Sequence, residues 1–130
     1  VKGLDIVIIG ASKIVGLPLA LLLLQKEATV TICHIETKDI IQHTKNADIV
    51  ISCCGVPNLV KKHWIKDDVI IIDIGITVVD GKIIGDVDFE DVKDKVKYIT
   101  PVPGGVGPMT VSMLMYQTVI ACEKIVNLKL

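Results

Sequence analysis

The chain has 130 residues, a formal net charge of −1, 51% hydrophobic residues and only 3% aromatic ones. That length holds one domain with a real hydrophobic core and is too short for two. The near-neutral charge gives no electrostatic basis for binding nucleic acid or an anionic membrane, and no apolar run reaches the ~20 residues that span a bilayer. All 14 basic residues are lysines, so the side chain best suited to clamp a phosphate with two bonds is missing.

In chain order, Asp5 to Ile9 is a β-branched apolar run that ends at Gly10 and restarts with helical character. It reads as strand, phosphate-binding turn and helix, the dinucleotide-binding βαβ unit in which glycine turns the backbone and helix amides face a pyrophosphate. Ser12 replaces the middle glycine of the usual pattern, and Gly16 comes one residue late. A helix is predicted from about Val15 to Lys26, with Pro18 in its first turn. Ala28 to Cys33 follows as a strand, and His34, Ile35 and Glu36 at its end fall where such folds read the adenosine ribose. Asp39 is expected to cap a short helix reaching Lys45.

Ala47 to Cys53 is the third strand, and Cys54 to Pro57 a loop at the same sheet edge as the first turn. Lys61 to Ile65 supports no more than one helical turn, with Trp64 as a packing residue. Val69 to Ile76 reads as an interior strand. Asp80-Gly81 between Ile76–Val79 and Lys82–Gly85 predicts a small β-hairpin flap, with Ile83 and Ile84 expected to be exposed. Asp88 to Val96 is a short helix, Lys97 to Thr100 a last strand, and Met109 to about Val126 a long terminal helix with Pro108 in its first turn. Continuous apolar strands alternating with helices imply an α/β fold, a doubly wound, Rossmann-like, mostly parallel sheet, formed by residues 1–130 as one dinucleotide-binding domain.

Cys33, Cys53, Cys54 and Cys122 show no C-x-x-C spacing and are expected to be reduced thiols that pack as small core hydrophobes. His34, His43 and His63 lack metal-ligand spacing, so no metal is expected. Asp73 and Asp86 resemble catalytic carboxylates but are read as structural, accepting hydrogen bonds from turn amides. The segment Thr100-Pro-Val-Pro-Gly-Gly-Val-Gly-Pro-Met-Thr110 carries three prolines and three glycines just before a helix, far more constraint than a change of direction requires.

Gly10-x-Ser12-x-Ile14-Val15-Gly16-x-Pro18, Ala28-Thr-Val-Thr-x-Cys-His34, Asp73-x-Gly75-Ile76, Gly85-Asp86-Val87 and the Thr100–Thr110 segment together resemble the methylenetetrahydrofolate dehydrogenase/cyclohydrolase family, in that order and at family spacing. The resemblance implies the C-terminal cofactor domain of an enzyme that oxidises methylenetetrahydrofolate to the methenyl form with NAD or NADP and usually hydrolyses it to formyltetrahydrofolate. It places Gly10, Ala11 and Ser12 at the cofactor phosphates, and Gly55, Val56 and Ile76 near the ribose and nicotinamide. Pro103, Gly104, Gly107 and Thr110 would form the folate side of the cleft. The family's tyrosine–lysine catalytic motif belongs to the preceding domain, so no catalytic residue is expected in this chain, and the 130 residues alone are expected to be inactive. A homodimer built on this domain and a cytoplasmic setting are also implied, with a targeting segment upstream of Val1 left open.

Two departures bear on cofactor choice. Ala11 stands where the family typically has arginine, and Ile35 where it often has serine or arginine; with Glu36 beside them, they favour NAD slightly over NADP. The competing reading is a nucleotide-binding or dimer-forming module without chemistry of its own.

Overall fold

The computed structural model describes residues 1–127. Five strands, β1 (Asp5–Ile9), β2 (Thr29–Cys33), β3 (Ile49–Ser52), β4 (Ile70–Asp73) and β7 (Tyr98–Ile99), form a parallel sheet in the order β2-β1-β3-β4-β7. β5 (Thr77–Val79) and β6 (Lys82–Ile84) make the separate antiparallel hairpin, with Thr77 opposite Ile84. Helix α1 (Gly16–Gln25) lies on one face of the sheet; α2 (Ile40–Thr44), a 3-10 turn at Lys62–Trp64 and α3 (Phe89–Val92) lie on the other. α4 (Val106–Asn127) follows β7.

Strand residues divide strictly between the two faces. Ile6, Ile8, Ile49 and Ile51 pack under α1 with Ala20, Leu19 and Leu23, while Val7, Ile9, Val50 and Ile71 pack with Val60, Ile65 and Val92 on the opposite side. Because β1 and β3 are covered on both faces, every residue from Ile6 to Ile9 and from Ile49 to Ser52 is buried, and the sequence is apolar without alternation. β2 is an edge strand, and its Thr29 and Thr31 reflect that half-exposed position.

Several elements are shorter than their apolar spans suggest. α1 begins at Gly16, β4 stops at Asp73, and α3 covers only Phe89–Val92, burying Val92 but leaving Phe89 exposed and Val96 half-buried. Strands end where the ladder ends: Ile74 donates to Ser52 O, but the chain then turns at Gly75 into the hairpin. Asp39 does cap α2, its carboxylate accepting from the Gln42 amide, with a positive φ of 49° that aspartate tolerates better than most residues.

Ile84 is half-buried, not exposed, because the hairpin base closes onto Gly85 and Asp86, which are buried; Ile83 is exposed. Of the four cysteines, Cys33 is fully buried, Cys53 and Cys54 are half-buried at the end of β3, and Cys122 is exposed on α4, so core packing does not account for it. α4 starts at Val106, three residues before the expected position, and it presents Met109, Met113, Leu114 and Tyr116 to solvent. Among the described residues no helix is long and apolar enough to cross a membrane.

Candidate functional site

Strand order reverses direction between β1 and β3, since β2 follows β1 on one side and β3 returns to the other. At such a switch point the loops leaving the two strands diverge and open a crevice at their C-terminal ends. Here those loops are Gly10–Val15 and Cys53–Pro57. Between them lies a cavity of about 500 Å³ lined by Gly10, Ala11, Ser12, His34, Ile35 and Val56, with Ile40, Cys53, Cys54, Leu59 and Trp64 at its floor and sides.

Close backbone packing explains the two glycines of the first turn. Gly10 has φ +121°, and a Cβ there would lie 2.6 Å from Cys53 O; a Cβ on Gly16 would overlap Gly10 O at 1.9 Å. Gly16 thus lets α1 approach the end of β1, the function of the last glycine in a dinucleotide turn, despite its shifted spacing. The Ser12 hydroxyl accepts from Val15 N at 3.1 Å and Gly16 N at 3.4 Å, tying the turn to the first residue of α1. Its proton is left to donate into the cavity, and among the described residues the amides of Ala11 and Ser12 donate to no protein acceptor. Free amides ahead of a helix N-terminus fit the pyrophosphate of a dinucleotide.

A second cavity, of about 260 Å³, lies beyond the end of β4. It is lined by Gly75, Ile76 and Ile83 from the hairpin side and by Pro101–Pro108 and Thr110 from the proline–glycine segment. Pro103, Gly104, Gly107 and Thr110 therefore come together at one place. The Val102–Pro103 peptide is cis, and Gly104 has φ +101°.

The remaining expected site residues are distributed around these two cavities and beside them. Ile76 lines the second cavity and not the first, because the chain turns at Gly75 and enters the hairpin at Thr77. Gly55 and Glu36 are exposed and line neither cavity. The loop around Glu36 is closed locally: its amide donates to His34 Nδ1 at 3.2 Å and His34 N donates to Thr37 Oγ1 at 2.8 Å. Ile35, by contrast, projects beside the first cavity with 94% exposure. Trp64 packs on the core as expected and also walls the first cavity; so do Ile40 and Leu59, whose positions depend on how α2 and the 3-10 turn dock and carry no signal of their own in sequence.

Asp73 and Asp86 are buried and hold backbone. Asp73 Oδ1 accepts from Gly75 N at 2.9 Å and Asp86 N at 3.1 Å, and its Oδ2 from Val87 N at 2.9 Å. Burial pushes the Asp73 carboxyl above its usual range against the pull of these amides. Asp86 Oδ2 accepts from Ser52 Oγ at 3.0 Å, Cys54 N at 2.8 Å and Gly55 N at 3.2 Å. Burial, and secondarily Cys54 and Asp86, push the Cys53 thiol up to about 11, so it is protonated and a poor nucleophile near neutral pH. Among the described residues no cluster of His, Cys, Asp or Glu could hold a metal ion.

An open parallel sheet with a glycine turn, free amides and a cavity at its switch point is the architecture of a nucleotide-binding α/β domain. The chain belongs to the tetrahydrofolate dehydrogenase/cyclohydrolase family: residues 1–126 match that family's NAD(P)-binding domain. It is 58% identical to the bifunctional protein FolD of Aquifex aeolicus over 118 residues, 91% of this chain and 40% of that protein. The crystal structure of the Campylobacter jejuni FolD enzyme superposes with a TM-score of 0.92 at 52% identity, covering 95% of this chain and 44% of that one. The Trypanosoma brucei enzyme, solved with NADP and an inhibitor, superposes at 0.90 with 42% identity over 96% of this chain and 45% of its own. The chain thus spans less than half the length of these relatives.

Proposed function

We propose that this chain is the cofactor-binding part of an enzyme that oxidises methylenetetrahydrofolate to methenyltetrahydrofolate and hydrolyses the product to formyltetrahydrofolate. The observation that carries the reading is the placement of two cavities side by side along the C-terminal edge of one sheet, one walled by the glycine turn and one by the Pro101–Thr110 segment. A bound nicotinamide ring would accept the hydride. Ala11 and Ser12 amides and the Ser12 hydroxyl bind the pyrophosphate, Val56 and Ile35 flank the nucleoside, and the rigid Pro103–Gly107 backbone forms one wall for the folate.

Among the described residues the acid–base groups nearest the cavities have other positions or duties: His34 lies on the dinucleotide side and Asp73 holds three backbone amides. The purified 130-residue chain is therefore expected to bind the cofactor but to show no turnover of methylenetetrahydrofolate. Steady-state assays showing cofactor-dependent turnover by this chain alone would overturn that expectation.

Cofactor choice follows from the same loops. A 2′-phosphate needs donors, and beside the first cavity the chain offers Ala11 and Ile35, with no arginine anywhere. Lys13 and Lys38 are exposed point charges, and Glu36 adds a repelling carboxylate to the same loop. Calorimetric titration is expected to give NAD an affinity about tenfold above NADP, a difference of ~1.4 kcal/mol. An Ala11→Arg, Glu36→Ser double variant should reverse the order, and tighter NADP binding by the unmodified chain would refute the preference.

The protein is proposed to act in the cytoplasm as a homodimer. Val78, Val79 and Ile83 are exposed on the hairpin, an apolar surface beside short unpaired strands that proteins usually cover. Sedimentation equilibrium is expected to show dimers that weaken when Ile83 is changed to lysine; a strict monomer at high concentration would count against it.

A further inference from the structure

The hairpin and the wall of the dinucleotide cavity belong to different parts of the sequence, yet they are bonded at both ends of the hairpin. At its start, Thr77 Oγ1 donates to Gly55 O at 3.4 Å. Just past its end, the Asp86 carboxylate receives the amides of Cys54 and Gly55, as well as the Ser52 hydroxyl from inside β3. Main-chain bonds extend the seam: Asn58 N donates to Gly85 O at 3.1 Å and Val60 N to Asp86 O at 3.0 Å. Asp86 itself is completely buried, its Oδ1 has no hydrogen-bond partner among the described residues, and a Cβ on Gly75 would lie only 2.1 Å from that oxygen. Burying a carboxylate is costly, and the Cys54 and Gly55 amides offset that cost only while the turn keeps the position in which they reach it.

The hairpin lines the second cavity through Ile83, with Ile76 immediately before it, and the turn bonded to it lines the first through Cys54 and Val56. No hairpin residue lines the first cavity. We propose that Asp86, assisted by Thr77, is a positioning residue that makes the Cys54–Val56 turn and the β5–β6 hairpin one mechanical unit, so that filling the dinucleotide cavity steadies the wall of the neighbouring cavity. The coupling runs through a contiguous set of hydrogen bonds and needs no change of fold. This rests on the dinucleotide reading given above.

Hydrogen exchange of the 130-residue chain with and without saturating NAD tests it, since exchange reports local opening amide by amide. In the wild type, NAD is expected to slow exchange at the Ala11 and Ser12 amides, and also to slow the hairpin amides Val78–Ile84 at least threefold although they do not touch the ligand. In Asp86→Asn, which removes the charge and puts an amide donor in the place of one oxygen, protection at Ala11 and Ser12 should remain while the hairpin response disappears. A merely structural role would raise exchange throughout the domain and leave the NAD-dependent difference at the hairpin intact. If Asp86→Asn does not fold, a Ser52→Ala, Thr77→Val double variant decides, because it strips two ties and leaves the carboxylate on its amides; a hairpin response of full wild-type size there overturns the proposal. Protection at Ala11 and Ser12 with none at the wild-type hairpin overturns the coupling alone. Protection at neither overturns the dinucleotide reading and the coupling with it.

Discussion

Replacing Gly16 with alanine is expected to destabilise the domain by about 3 kcal/mol. The added Cβ would sit 1.9 Å from Gly10 O and 2.9 Å from Gly10 C, both backbone atoms that have no rotamer to escape into. Relief requires α1 to lift from the end of β1, and that separates Ala20, Leu19 and Leu23 from Ile6 and Ile8. For a domain of this size the melting temperature should fall by roughly 10 °C. Dinucleotide affinity should fall with it, since the same shift displaces the Ser12 turn. Gly107→Ala is the matched control: it lies in α4 with open space around its Cβ position, and alanine is the better helix former there. Thermal melts in which the two variants lose equal stability would show that helix–strand approach is not what Gly16 provides.

That contact also shows which parts of the molecule are legible in the sequence. Periodicity cannot assign Gly16 a role, because its spacing misses the usual glycine pattern by one residue; only the approach of the helix to Gly10 O reveals it. The sheet is readable because β1 and β3 are buried on both faces, which leaves a run of isoleucine and valine with no alternation to misread. The hairpin is readable from Asp80-Gly81, where φ is positive at both residues, 50° and 76°, as its turn demands. The proline–glycine segment announces a constrained wall, and its residues do gather around one cavity.

What composition cannot supply is the docking of one segment on another. Ile40, Leu59 and Trp64 reach the first cavity only because α2, the loop after β3 and the 3-10 turn close over the same sheet end, a tertiary fact without local signature. Glu36 follows β2 at the place where such folds read the ribose, and its loop is closed by the His34–Thr37 bonds, a local arrangement that composition does not announce. Ile76 lines the second cavity because the strand stops at Asp73, and from there the course of the chain is fixed by the amides that the aspartates hold. α4 is readable as a helix from its spacing, but its apolar side chains are largely exposed among the described residues, so helical periodicity alone does not foretell burial.

Asp73→Asn carries the other large expected effect, a loss of about 2–4 kcal/mol at neutral pH. The carboxylate uses both oxygens: Oδ1 receives Gly75 N and Asp86 N, and Oδ2 receives Val87 N. Asparagine has a single acceptor, so either rotamer sets an amide donor against at least one N–H in a buried site. Rotation offers no exit either, since Oδ2 is packed where a Cβ of Gly85 would be, 2.1 Å away. The hairpin, whose two ends those amides define, should loosen first, and the second cavity should lose its Ile76 and Ile83 wall. A pH series separates this from a generic packing defect. Burial pushes the Asp73 carboxyl above 3.8, so between 3.8 and the raised value the folded state binds a proton that the unfolded chain has released. Stability from this group therefore falls as pH rises through that window and is level above it. Asparagine has no such proton, while a protonated carboxyl still offers lone pairs on both oxygens. The advantage of wild type over Asp73→Asn should accordingly be larger at the acid end of the window than at neutral pH. Chemical denaturation across the series in which the two curves stay parallel would show that Asp73 does not titrate with folding, and that its value lies in shape alone.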